Sequence, residues 1–136
     1  MTADSALREY LDHLDARIRA RSTPLPESAA QLCAAAPAEC LAMIVAALAA
    51  VHSANLVQAI GDGLLENLLN EHAATLADRV AVLLRTNQRF RFAFASATLA
   101  SVDPDLLNEW FEVLQEIGTS KQRERKRLWA TPFQAE

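Results

Sequence analysis

The chain has 136 residues, 51% of them hydrophobic and 22% charged, which suffices for one domain with a real core and argues against a disordered polymer. Net charge is −4, unevenly spread: residues 1–120 hold 8 Lys/Arg against 15 Asp/Glu, a balance of −7, and residues 121–136 hold 5 against 2, a balance of +3. An acidic body disfavours nonspecific binding to nucleic acid and suits a basic protein partner.

Alanine and leucine dominate the apolar fraction, and only three glycines and five prolines are available for tight turns. That balance predicts an all-α fold, since both residues enter helices at little cost. The first helix is expected to start after Asp4 or Ser5 and to bury Leu7, Leu11, Leu14 and Ile18, whose spacing traces one face. Ser22-Thr23-Pro24-Leu25-Pro26 ends it. Pro26 or Glu27 opens a short second helix to about Ala35, and Pro37 opens a third to about His52. The third is apolar nearly all round, through Leu41, Met43, Ile44, Val45, Leu48 and Val51, which predicts the central helix.

Ser53 or Asn55 begins the next helix, and Gly61-Asp62-Gly63 is expected to break it, with Asp62 capping a following helix that carries Leu64, Leu65, Leu68 and Leu69. A further helix spans about Ala73 to Leu84, ending at Arg85-Thr86-Asn87. Phe90, Phe94 and Ala97 start another apolar face. Asp103-Pro104-Asp105 combines cap, first-turn proline and first-turn acid, so a helix should start there, bury Leu106, Leu107, Trp110, Phe111, Leu114 and Ile117, and stop at Gly118. The resulting picture is residues 1–136 as a single helical domain, a compact array of about six to eight helices, several of them short, with a basic C-terminal segment at 121–136. The cadence of short paired helices also admits an α-solenoid-like superhelix.

The start of the chain lacks the charged and apolar regions of a secretory signal. The longest apolar run, Cys40 to Val51, falls short of the ~20 residues that span a bilayer. Cys33 and Cys40 form no CxxC pair, and on one helix they would stand ~10 Å apart, although Pro37 between them allows a bend. Two buried, reduced cysteines in a cytoplasmic protein are therefore expected.

No constellation announces catalysis. His13, His52 and His72 fall on different helices and are expected at surfaces or rims, with no Cys/His cluster at metal-ligand spacing; no metal and no cofactor is called for. No Gly-x-Ser-x-Gly elbow occurs, and Gly61-Asp62-Gly63 lacks both the third glycine and the lysine of a phosphate loop. A charged residue on a leucine face stands out: Glu66, expected to pair with Arg79, Arg89 or Arg91 if partly buried. Phe90, Phe92 and Phe94 alternate around Arg89 and Arg91, a spacing that spreads the rings round a helix and makes an exposed phenylalanine a candidate anchor for a partner. Glu66, Glu71, Asp78, Arg89, Arg91 and Phe92 are the candidate interaction residues. The run Lys121 to Arg127 is the sole candidate for nucleic acid, with a solvated helix face as the simpler account.

From Gly63 to Phe94 the chain resembles a family of small bacterial proteins of unknown function, whose pattern is Gly-Pro-Leu-Glu-x-Leu-Leu, then a glycine, an acidic-capped helix and a segment ending in Phe-Arg. Gly63, Leu65, Glu66, Leu68, Leu69, Asp78, Arg79, Phe90 and Arg91 match; Leu64 replaces the proline, Ala73 the glycine, and Ala81 a glutamate of the second helix. The resemblance implies an all-helical fold and a bacterial origin, and no reaction. Taken together, these features lead to an expected non-enzymatic, cytoplasmic protein–protein interaction module, in one form an immunity or antitoxin protein neutralising a basic toxin. The alternatives are a self-associating adaptor using Leu107, Trp110, Phe111 or Trp129, and a small helical enzyme or ligand-binding domain with a pocket near His52, His72 or Glu66.

Overall fold

The computed structural model describes residues 3–20 and 26–120, with side-chain surroundings for 5–14 and 26–117. The elements are α1 (Ala3–Ala20), α2 (Glu27–Ala35), α3 (Pro37–Ala50), α4 (Ala54–Ile60), a π-helical turn (Gly61–Leu65), α5 (Glu66–Thr86), α6 (Gln88–Ser96) and α7 (Pro104–Ser120). No strand occurs among the described residues, so the all-α class is observed directly. The basic run at 121–127, Trp129 and the Ser22–Leu25 helix stop lie outside the described residues.

Helix α3 is central, touching α1, α2, α4, α5, α6 and the π turn. It buries Cys40, Leu41, Met43, Ile44, Ala47 and Leu48 and turns Ala42, Ala46, Ala49 and Ala50 outward. Contacts such as α1 with α4 and α3 with α6 join elements distant in sequence. A solenoid packs each repeat on its neighbours alone, so the array is a compact bundle and not a superhelix.

Several ends are set by the residues the sequence nominates. Ser53 Oγ accepts from Leu56 N at 3.2 Å and starts α4. Asn87, expected only to close the preceding helix, also starts α6, its Oδ1 accepting from Phe90 N at 3.0 Å. Asp103 Oδ1 accepts from Asp105 N at 2.9 Å ahead of Pro104. Each satisfies an amide that the first helical turn leaves orphaned.

Other expectations are corrected. The glycine pair does not break the chain: Ile60, Gly61, Leu65 and Glu66 all keep right-handed helical dihedrals, and Asp62 sits exposed inside the run instead of capping a new helix. Gly61 is required for another reason. A Cβ there would lie 2.0 Å from the Ala93 carbonyl oxygen, so a missing side chain is what lets α6 seat. The two helices expected over 63–84 are one, α5, bent at His72 (φ −132°, ψ 23°). In α1 the buried face is Ala6, Tyr10, His13 and Leu14, with Leu7 and Leu11 at its edge. His13 is therefore a core residue rather than a rim one, its ring stacked on Tyr10 with centroids 6.1 Å apart. Helix α7 continues through Gly118. Its Trp110 is fully buried, donating to Ala77 O at 3.2 Å and meeting Phe94 edge-on, so it offers no surface for self-association, whereas Phe111 is 52% exposed.

Candidate functional site

Two places on the molecule combine accessibility with unusual chemistry, and both lie along α5. The first is a groove between α3 and α5. Ala38, Leu41, Ala42 and Val45 face Asp78, Arg79, Val82 and Leu83 across a space of about 520 Å³. The spacing of the α3 residues, one turn apart in pairs, makes an apolar strip; Val82, 55% exposed, forms the opposite wall. Asp78 and Arg79 are the charged groups of the lining, so the groove is greasy along its floor and ionic at one edge.

The second place is where α2, α3 and α5 meet. Ala36, at φ −143° and ψ 72°, separates α2 from α3. The turn brings Cys33 and Cys40 together, so that the two buried thiols share a hydrogen bond instead of standing a helix-turn pair apart. That bond holds Cys33 below the ordinary thiol range, burial and the nearby Glu71 carboxylate pull the other way, and Asn67 Nδ2, 3.6 Å from Cys33 Sγ, adds to the lowering. Cys40, hydrogen-bonded to Cys33 and buried, is pushed far up and remains a thiol. On α5, Glu71 Oε2 stands 3.7 Å from His72 Nε2, and one donor atom each from Cys33, Glu71 and His72 lie within 4.8 Å of one another.

The candidate interaction residues divide between roles. Among the described residues Glu66 pairs with no arginine; its Oε1 accepts from Thr98 N at 2.6 Å. One turn on, Asn70 donates to Thr98 O at 2.9 Å and accepts from Ser101 N at 3.0 Å, so Glu66 and Asn70 together hold the α6–α7 connection. Arg89 is buried, with Nη1 donating to the carbonyls of Leu48 and of Val51, the latter at 2.8 Å, at the end of α3. Arg91 Nη1 donates to Leu84 O at 3.0 Å near the end of α5. Burial draws both guanidinium groups below their ordinary range. Cations at helix C-termini complement the dipole, which makes these arginines part of the scaffold. Phe92 is half-buried against the core and not an exposed anchor. Asp78 belongs to the groove, and Glu71 to the thiol cluster.

Sequence spacing does not reveal that cluster, because its donors come from separate helices and from neighbouring positions that a straight helix would splay. The usable signals are Cys33 and Cys40 flanking Pro37, and Glu71 adjoining His72. Among the described residues, no helix is long and apolar enough to cross a membrane. No protein-family model, no curated protein and no solved structure matches the chain.

Proposed function

We propose that this protein is a non-enzymatic binding module whose α3–α5 groove receives an apolar helix from a partner protein of basic overall charge. The observation that carries this reading is the groove itself, an apolar strip open to solvent with Val82 exposed on its wall. Helix-in-groove recognition uses such strips, reading apolar anchors at one-turn spacing. The −7 balance of residues 1–120 supports a basic partner by steering its approach. An immunity or antitoxin role is the finer form of the proposal, in a cytoplasmic bacterial protein akin to the family its 63–94 motif resembles.

The test is co-expression of the full chain with the product of the adjacent gene, followed by calorimetry on the purified pair. A complex lost on Val82→Asp, with helix content and melting unchanged, supports the groove. A complex of undiminished affinity in Val82→Asp overturns it. Phe111, exposed on α7, favours one second reading, association of the chain with itself. Light scattering of wild type and Phe111→Ser decides that reading, since a concentration-independent monomer removes it.

A further inference from the structure

Adjacent residues of a regular helix project roughly 100° apart, so Glu71 and His72 would ordinarily serve different surfaces. At His72 the backbone leaves helical geometry, and the two side chains converge on the same point, facing Cys33 of α2. What they form is poorly closed by protein alone. His72 Nε2 is buried and makes no hydrogen bond, and the Glu71 carboxylate lies beyond hydrogen-bond reach of it at 3.7 Å. Cys33 Sγ lies beside that carboxylate and that imidazole nitrogen, so a sulfur, an oxygen and a nitrogen donor converge on one point from two helices.

We infer that Cys33, Glu71 and His72 form a three-donor site for a zinc-type divalent cation, tying α2 to the bend of α5 and leaving a fourth position for water or an external donor. Tetrahedral zinc with one sulfur, one nitrogen and one oxygen ligand sets those donors ~3.5 Å apart. The observed spacing, within 4.8 Å for all three and 3.7 Å between Glu71 and His72, approaches that geometry. A thiolate with an imidazole selects zinc and its relatives over calcium or magnesium, which prefer oxygen throughout. The thiol of Cys40 and the amide of Asn67 both reach Cys33 Sγ and serve as positioning donors that orient the sulfur.

The experiment titrates cobalt(II), then zinc(II), into the reduced full-length protein. One equivalent of cobalt should bind, with a sulfur-to-cobalt charge-transfer band and the visible bands of a four-coordinate ion, and zinc should displace it. Cys33→Ser should abolish the charge-transfer band, with circular dichroism confirming that the buried substitution has kept the fold. Glu71→Gln, at a side chain 51% exposed, leaves folding out of the question and should weaken binding at least ~10-fold. Cys40→Ser should also weaken binding ~10-fold while keeping the charge-transfer band. Absence of the band in the wild type, its persistence in Cys33→Ser, or unchanged affinity in Glu71→Gln overturns the site. Loss of the band in Cys40→Ser as complete as in Cys33→Ser overturns the three-donor assignment.

Discussion

Arg89 and Cys33 are both buried polar groups packed against α3, yet their surroundings differ in kind. Around Arg89, carbonyls at the end of α3 accept from Nη1, and the missing Cβ of Gly61 lets the helix that carries it settle close. Around Cys33 two thiols, a carboxylate and an imidazole gather with few hydrogen bonds among them and a bent helix behind them. Buried polar groups are nearly always satisfied in native proteins. The contrast separates a side chain anchored on backbone carbonyls from donor atoms that converge on one point from two helices.

Substitutions in the two regions should therefore fail in different ways. The largest loss is expected for Gly61→Ala, since the added carbon meets backbone at 2.0 Å and one helix must retreat. About 3 kcal/mol or more is expected from such overpacking, and urea denaturation within 1 kcal/mol of wild type would show that α6 does not sit where described. Arg89→Ala removes both contacts to the α3 carbonyls and should cost about 2–3 kcal/mol in the same assay. A smaller deficit, about 1 kcal/mol, is expected for Asn70→Ala, whose bonds to Thr98 and Ser101 are exposed. At the other region the stability change should nearly vanish. Glu71→Gln and Val82→Asp are surface substitutions expected within ~0.5 kcal/mol, with their effects appearing in cobalt titration and partner binding respectively. A Glu71→Gln protein as unstable as Arg89→Ala would erase the distinction between the two regions.

Much of the architecture is legible in the sequence where local chemistry decides it. Ser53 and Asp103-Pro104 mark helix starts because a short side-chain oxygen reaches its own first turn whatever lies beyond. The central position of α3 follows from its apolar composition alone. Legibility fails where a distant partner decides. A glycine pair reads locally as a break, but here Ala93, in a helix some thirty residues later, is what demands Gly61. Tyr10 and His13 turn inward on α1 because their rings stack and fill core volume, rotating the face that the leucine spacing marks. Glu66 reads as half of an ion pair, whereas the group it meets is a backbone amide, invisible to any search by side-chain charge. The thiol cluster is the extreme case: Pro37 marks the α2–α3 turn, but the bend at His72 that brings Glu71 and His72 together has no residue signature.

The contact between Gly61 and Ala93 also acts as a ward in a lock. Were α6 to slide about one turn along its seat, the Ala93 carbonyl would meet a position near Val57 or Leu65, each of which carries a side chain where Gly61 has none. Neither neighbouring position admits the key. A single absent methyl group thus selects one docking register out of those that greasy surfaces alone would tolerate, and fixes where Arg89 arrives.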